Sequence, residues 1–487
     1  MELTPAQLDR ACGVLLGAAV GDALGAGYEF RHDVADVVPA MIGGGLGNFA
    51  PGEWTDDTAQ AVAIAVVAAD GLDLRTPKAL DRIAQGLADW YAAGPPDVGI
   101  QTSAVLSRAG RNPTGTEMAA AAAEVDARSG RSAGNGSLMR TGPVALAFLN
   151  DPSGLVDAAK AVSQLTHYED QAWEPCAVWC LMIRHTVLTG EWPTFADIER
   201  WAPSPEKWRR ILAEAEVKDP SSFTQNGWSV GALQAAWSAI THTPVPADGF
   251  RCRHLKDSLT TAIRIGHDTD TVAAIAGAML GARWGMSAIP AEWRRILHGW
   301  PGITGKGLEK VAYLAARQGA AGRYGWPLVE HIDYLPLQYG KNALALHPFD
   351  DGVWLAGATV LDELPEGTDA VVSLCLTGRG QVPDHVEHIT YRLMDEAAPE
   401  HNPNLDFILV DAAQTVARLR EEGRTVVLHC VAAHSRTPAV AIAYAMVRGV
   451  PLTEALPAVC GVLPAAQPNS GFHEALSRLE SHLIGLD

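Results

Sequence analysis

What this chain lacks narrows its possible classes first. Its 487 residues hold 37 Lys and Arg against 56 Asp and Glu, a formal net charge of −19. That shortage of basic residues argues against a broad nucleic-acid or anionic-membrane surface and leaves room only for local basic pockets. No apolar run approaches the roughly 18 residues of a membrane span. The opening MELTPAQLDR lacks the basic-then-apolar layout of a secretion signal, and the closing LIGLD carries no lipidation signal. The seven cysteines are odd in number, scattered and without a CxxC pair, so the expected setting is a reducing cytoplasm. No fixed-period repeat is visible. The length suggests two or three domains, each able to bury a core.

What is present centres on Gly266-His267-Asp268-Thr269-Asp270-Thr271, which opens the run VAAIAGAMLGARWG. A run that is apolar on nearly every side belongs inside a domain. Its Ala and Gly residues let neighbouring backbones approach. Earlier, Thr55-Asp56-Asp57-Thr58 opens AQAVAIAVVAA in the same way. Each cluster by itself reads as a helix cap with acids at the positive end of the dipole. If both buried helices point the same way, the clusters bring four carboxylates to one place, with no Lys or Arg inside either cluster to pair with them. Like charges in a low-dielectric site are costly unless paired or metal-bound. An oxygen-only set of Asp and Thr suits a hard cation, Mg²⁺ or Mn²⁺, rather than Zn²⁺.

Around these clusters the pattern from Ala11 to about Arg317 is dominantly helical. Thr4-Pro5 is a helix start, and Leu8, Cys12, Leu15 and Ala19 mark one helix face. Glu29 stands between Tyr28 and Phe30, either an ordinary loop glutamate or a carboxyl with a raised pKa fit for acid–base work. Gly94-Pro95-Pro96-Asp97-Val98-Gly99 is a tight loop fixing one carboxylate, and equally a plain turn. Gly134-Asn135-Gly136-Ser137-Leu138-Met139 is a glycine-rich loop whose N–H groups can cradle phosphate, although Asn-Gly is also a common turn. Thr166-His167 opens a further helical run.

These segments, RACGVLLGAAVGDALGAGYEF, WTDDTAQA, GPPDVGIQT, GNGSLMRTGPVAL, THYEDQA and IGHDTDTVAAIAGAMLGARWG, together resemble the ADP-ribosylglycohydrolase family, in the family's order. The resemblance implies an all-α domain holding two Mg²⁺ or Mn²⁺ ions. It carries Thr55, Asp56, Asp57, Asp268, Asp270 and Thr271 over as metal ligands. Gly134 through Met139 become the diphosphate loop, and His167 a neighbour of bound ADP-ribose. Glu29 matches an acid on a flap over the metals, and Asp97 a carboxylate proposed as base in some members. The implied reaction is hydrolysis of an ADP-ribosyl glycosidic bond on a protein side chain or small molecule. Glu29, Asp57 and Asp97 stay open as the base. A structural use of the fold, as in lens crystallin relatives, is the bland alternative.

After about residue 318 the texture changes. Residues 321–345 read as a connector between domains at 1–320 and 346–487. Ala370–Leu374 and Thr425–Leu428 read as buried strands, while AAQTVARLREEG and PAVAIAYAMVRG read as helices. The expectation is an α/β domain with a mainly parallel sheet. Where a strand meets a helix stands Cys430-x5-Arg436. A loop at a helix N-terminus can hold an anion and activate a thiol, and arginine grips two phosphate oxygens in a fork. This part resembles the dual-specificity phosphatases. The resemblance implies Cys430 as nucleophile, Arg436 as phosphate holder, Thr437 as helper and Asp395 as acid. The loop departs from that family at Ala433, where glycine is usual, and bulky His434 follows. The module is then an enzyme on a phosphorylated substrate in the same pathway or an inactive phosphate-binding adaptor.

Overall fold

In the computed structural model, residues 2–317, 326–334 and 343–483 are described. The chain divides into two units, Met1–Val245 with Arg253–Ile289 and Trp293–Ala321, and Pro246–Cys252 with Pro290–Glu292 and Gly322–Asp487. Of the expected connector, 321–325 and 335–342 lie outside the described residues.

The first unit is helical: α1 Pro5–Gly25, α2 Asp56–Ala69, α3 Pro77–Ala92, α4 Ile100–Ala109, α5 Gly115–Ser129, α6 Gly142–Ala147, α7 Pro152–Ser163, α8 Asp170–Thr189, α9 Phe195–Ile198, α10 Pro205–Val217, α11 Ser229–His242, α12 His254–Arg264, α13 Thr269–Trp284, α14 Ala291–Ile296 and α15 Gly305–Ala316. Two short strands, β1 His298–Gly299 and β2 Ile303–Thr304, pair antiparallel.

Helix α1 begins on a capping box. The Gln7 N–H donates to Thr4 Oγ1 at 3.2 Å, and the Thr4 N–H donates to Gln7 Oε1 at 2.9 Å. From Ala11 to Gly25 every residue is buried, so the one-faced pattern of Leu8, Cys12, Leu15 and Ala19 understates the helix. The span Pro5–Tyr28 is long and apolar enough to cross a bilayer, against the expectation that no run came close. Its apolar window is wholly buried inside the unit, as the central helix of a protein core would be.

Helix α1 packs antiparallel on α13 through glycine. A Cβ at Gly13, Gly17 or Gly21 would run into the carbonyl oxygen of Gly281, Gly277 or Ala273, and one at Gly25 into the backbone of Asp270. The spacing of four keeps these glycines on one stripe. The backbones therefore touch, and the C-terminal turn of α1 meets the N-terminal turn of α13.

The second unit holds β3 Leu344–His347, β4 Asp350–Ala356, β5 Thr368–Ser373, β6 Glu387–Thr390 and β7 Thr425–His429, with α16 Leu405–Glu421, α17 Arg436–Val447, α18 Leu452–Val462 and α19 Ser470–Leu483. Strand order is β3-β4-β7-β5-β6. Only the β3/β4 pair is antiparallel, and the rest of the sheet is parallel as its buried strands suggest. Ala356 and Ser373 both pair with His429, so three strands end together where Cys430 begins its loop.

Gly277→Val places a branched side chain against the Gly17 backbone. Overpacking of a rigid contact costs about 3 kcal/mol, so the denaturation midpoint of the first unit should drop sharply. An unchanged midpoint would show that the two helices have room to separate.

Candidate active site

The α1–α13 approach sets the geometry of an acidic centre. Asp22, on the last turns of α1, is fully buried. Its Oδ1 accepts from the Thr55 N–H at 2.9 Å, and its Oδ2 accepts from the Thr58 N–H at 3.0 Å and Thr58 Oγ1 at 2.6 Å. Asp22 therefore caps α2 from another helix. The residues expected to cap their own helices do not. Neither Thr55 nor Asp268 makes a side-chain cap bond. Thr55 Oγ1 donates to Asp57 Oδ2 at 3.2 Å, as does Thr271 Oγ1 at 3.3 Å. Asp268 Oδ2 accepts from Asn135 Nδ2 at 2.7 Å. The capping half of the plain-cap reading fails at these contacts, while Asp56, Asp57 and Asp270 do stand in the first turns of α2 and α13, at the positive dipole ends.

Two overlapping sets of carboxylates result. Asp22, Asp57 and Asp270 bring ligand oxygens within 4.8 Å of one another, and so do Glu29, Asp268 and Asp270. Asp57 Oδ1 is buried with no hydrogen-bond partner. Among the described residues none of these acids forms an ion pair. An orphaned buried carboxylate oxygen amid other carboxylates and threonine hydroxyls fits a hard cation. Thr55, Asp57, Asp268, Asp270 and Thr271 all border this centre. Glu29 joins it from the loop after α1, and Asp22, which sequence reasoning passed over, stands behind it.

Backbone strain holds the rim. Phe30 and His267, next to Glu29 and Asp268, have φ of 52° and 62°, and the Phe30 N–H donates to the His267 carbonyl at 2.7 Å. Each non-glycine residue there costs about 1 kcal/mol or more. The bond ties the two acid-bearing arms together.

Burial raises the Glu29 carboxyl to about 8, helped by the charges of Asp268, Asp97, Asp56 and Asp22. Asp22 is pushed up to about 6 by burial, against the bonds from Thr58 and Thr55. Burial first, then neighbouring carboxylates, raises Asp56, Asp57 and Asp270 well above the usual range.

Asp56 borders both the acidic centre, where its charge acts on Asp57 and Glu29, and a neighbouring cleft. Its Oδ2 accepts from Gln60 Nε2 at 2.9 Å, and it lines a cleft of about 490 Å³ with Asp97, Glu53, Trp54, Trp90 and Trp300. Asp97 is half-buried in its Pro-rich loop, and its charge acts on both Glu29 and Asp56.

On the other side lies the loop 134–139. The Leu138 and Met139 N–H groups both donate to the Asn135 carbonyl, at 2.8 and 3.1 Å, and the Asn135 N–H donates to Gly227 O. Leu138 and Met139 thus depart from the expected cradle: their N–H groups are spent and their side chains are core. At most the N–H groups of Gly134, Gly136 and Ser137 remain to face a ligand. His167 faces this loop, since a Cβ on Gly136 would stand 3.2 Å from its Nε2. It does not open a helix; it sits in the turn between α7 and α8, its N–H bonded to Ser163 O at 2.8 Å. Asn226 was missed. Its carbonyl accepts from Asn135 and its Oδ1 from the Asp268 N–H, joining loop to acid. A lone Asn in a loop gives no sequence signal for that.

In the second unit, Cys430 is buried at the end of β7. Arg436 Nη1 donates to the Leu374 and Leu393 carbonyls, both at 3.2 Å. Asp395 is exposed, 3.6 Å from Arg436 Nε, and accepts from Asn469 Nδ2 at 3.2 Å. Ala433 takes φ 52°, the left-handed conformation that favours glycine. Thr437 Oγ1 donates to Ala356 O at 3.4 Å.

Residues 3–323 match the ADP-ribosylglycohydrolase family model, and the chain belongs to that family. It is a glycohydrolase. The ADP-ribosylarginine hydrolase Tri1 of Pseudomonas putida (strain GB-1) is 32% identical over 307 residues, 60% of this chain and 75% of that protein. The ADP-ribosyl-[dinitrogen reductase] glycohydrolase of Rhodospirillum rubrum is 30% identical, over 59% of this chain and 90% of its own. A crystal structure of human DUSP28 superposes on 29% of this chain and 95% of its own, with 23% identity and a TM-score of 0.27.

The raised carboxyls fix a sign. Acids whose folded pKa exceeds the unfolded one bind more protons when folded, so stability falls as pH rises between the two values. The windows run from 3.8 to about 6 for Asp22 and from 4.5 to about 8 for Glu29. In chelator, the melting temperature of the first unit should decline from pH 4.5 to 8. A flat profile would mean that these acids are solvated.

Proposed function

We propose that the first unit hydrolyses the N-glycosidic bond between ADP-ribose and an arginine side chain, with two Mg²⁺ or Mn²⁺ ions held by Thr55, Asp56, Asp57, Asp268, Asp270 and Thr271. The observation that carries this is the buried acidic centre with its orphaned Asp57 oxygen and no basic partner. Divalent cations bound there would supply positive charge to the ribose hydroxyls and to a nucleophilic water. The residues do the rest. Gly134, Gly136, Ser137 and His167 hold the diphosphate end. Water forms a bond to the anomeric carbon as the carbon–nitrogen bond breaks through an oxocarbenium-like state. The departing guanidine takes up a proton, and a carboxylate takes the proton of the water.

Asp97 suits that base role better than Asp57, whose Oδ2 is already held by Thr55 and Thr271, and so does Glu29 once bound cations bring its carboxyl down from about 8. The cleft beside Asp56 and Asp97 fits a cationic leaving group. Carboxylates answer its charge, and the exposed Trp300 offers it an aromatic ring. Substrates of the relatives named for ADP-ribosylarginine support the same linkage.

A second reading concerns the second unit, as a cysteine phosphatase acting in the same modification pathway. It is favoured by the strand–loop–helix placement of Cys430 with Arg436 and Asp395 beside it. Cys430 would attack phosphorus, Arg436 hold the phosphoryl oxygens and Asp395 protonate the leaving oxygen.

Release of free ADP-ribose from ADP-ribosylarginine should require Mg²⁺ or Mn²⁺ and fall by a factor of about 10³ in Asp268→Asn, on the scale of lost electrostatic stabilisation. Absence of divalent binding would point instead to a structural use of the fold. For the second unit, p-nitrophenyl phosphate turnover should vanish in Cys430→Ser. Ala433→Gly should stabilise the unit by about 1 kcal/mol by relieving the left-handed strain. A wild type that binds phosphate without turning it over would make the module an adaptor.

A further inference from the structure

Arg140 is a fully buried arginine just after the glycine-rich loop, and the reaction above gives it no part. It makes two bonds in opposite directions. Nη1 donates to Gln60 Oε1 at 2.5 Å and Nη2 to Thr166 Oγ1 at 2.6 Å. Gln60 Nε2 in turn donates to Asp56 Oδ2 at 2.9 Å, and Thr166 Oγ1 lies 2.7 Å from His167 Nδ1. One chain of polar groups thus runs from a proposed metal ligand to the proposed diphosphate site.

Proton counting decides which way each group points. A guanidinium has donors only. Thr166 Oγ1 therefore accepts from Arg140. A hydroxyl can accept twice, but His167 Nδ1 is the one acceptor in reach among the described residues, so a proton on Nδ1 would leave the buried hydroxyl proton unbonded beside a guanidinium. A ring that accepts at Nδ1 carries its one proton on Nε2. The ring is neutral: burial and the Arg140 charge hold it down at about 3, while Arg140, pulled down by burial to about 10, stays charged at neutral pH. At the other end, Oε1 of Gln60 must face the guanidinium, so its NH₂ faces Asp56. A flipped amide would set NH₂ against the guanidinium and oxygen against the carboxylate.

We infer that Arg140 is a positioning residue that locks His167 as the Nε2–H tautomer, aimed at the Gly134–Ser137 loop as an uncharged donor to a diphosphate oxygen, and locks the Gln60 amide onto Asp56. The ligand named here rests on the reading of that loop given above. Glycine at 134 and 136 keeps the space in front of Nε2 open, since a Cβ there would stand 3.5 and 3.2 Å from it.

The test uses the full chain, free of metal, with ¹⁵N-labelled histidine, and the His167 signals are identified by their loss in His167→Gln. The wild-type ring should show a single Nε2–H tautomer from pH 5 to 8. An Nδ1–H ring, or an average of the two, overturns the inference. In Arg140→Met the cation that disfavours a proton on Nδ1 is gone and nothing fixes the Thr166 hydroxyl, so the lock should loosen to a mixture and ADP-ribose should bind about tenfold more weakly by calorimetry, the scale of one lost hydrogen bond. A ring still wholly Nε2–H in that variant removes Arg140 from the role. Where Arg140→Met does not fold, Thr166 variants decide. Thr166→Ser should keep both the tautomer and the affinity, and Thr166→Val should lose both; equal behaviour of the two overturns the inference.

None of these readouts needs turnover. A locked ring that binds ADP-ribose in a chain with no glycohydrolysis of arginine conjugates refutes the proposed substrate and leaves the positioning role standing. Hydrolysis with an unlocked ring does the reverse.

Discussion

The architecture of the first unit depends on two backbones in contact. Glycines at 13, 17, 21 and 25 let α1 lie against α13 with no side chain between them. That distance cannot be reached with alanine, because a Cβ would already overlap a carbonyl. It matters for chemistry because the helices run antiparallel. The turn of α1 that carries Asp22 is brought level with the turn of α13 that carries Asp270, and α2 is drawn in because Asp22 caps it. Three helices thus share one acidic point. The small residues are a condition for the site as well as for packing, since wider spacing would leave Asp22 unable to hold α2 while standing next to Asp270.

Concentrating carboxylates this way is unfavourable by itself, and the structure offsets it only in part. The N-termini of α2 and α13 place positive dipole ends near the acids. Threonine hydroxyls at 55, 58 and 271 donate to them, and Asn135 donates to Asp268. These contacts leave Glu29 at about 8 and Asp57 with an unbonded oxygen. The remaining imbalance is what a cation would relieve. The strained pair Phe30 and His267 keeps Glu29 and Asp268 from drifting apart, so the repulsion is held rather than relaxed.

Much of this centre was legible in the sequence because its signals are local. A Thr-Asp-Asp or Asp-Thr-Asp-Thr cluster before a run of Ala, Val and Gly puts acids at a buried helix head whatever the rest of the fold does. Asp22 was harder. It lies in the same helix as fifteen consecutive buried residues, and a charged residue in such a stretch was a sign that something meets it. Arg140 and Asn226 act through partners distant in sequence, and Gln60 joins its near neighbour Asp56 to one of them, through the Arg140–Gln60 bond across 80 positions. Nothing in their neighbourhoods announces them. The sequence of loop 134–139 suggests a row of free N–H groups, but a tight turn satisfies its own donors first, and the Leu138 and Met139 N–H groups bond to the Asn135 carbonyl. In the second unit the buried strands were plain as apolar runs, and the left-handed site at Ala433 was foreseeable from the glycine expected there.

Strain ties the two units' chemistry to one physical pattern. Of the described non-glycine residues with positive φ, Phe30, His267 and Ala433 each stand beside a proposed reactive or ligating group. At Ala433 the conformation is over-determined from outside. The Gln467 N–H donates to the His434 carbonyl at 2.6 Å, and the Asn469 N–H donates to Ser435 Oγ at 3.2 Å. Residues beyond α18 therefore hold the loop in shape even though alanine resists it. A loop that needed no fixed shape would relax at that position and recover the 1–2 kcal/mol or so that the left-handed backbone costs. That it is held, between Cys430 and Arg436, argues that an oriented set of loop N–H groups is what this segment keeps. On that argument the alanine does not by itself mark the loss of the phosphate site proposed for this loop.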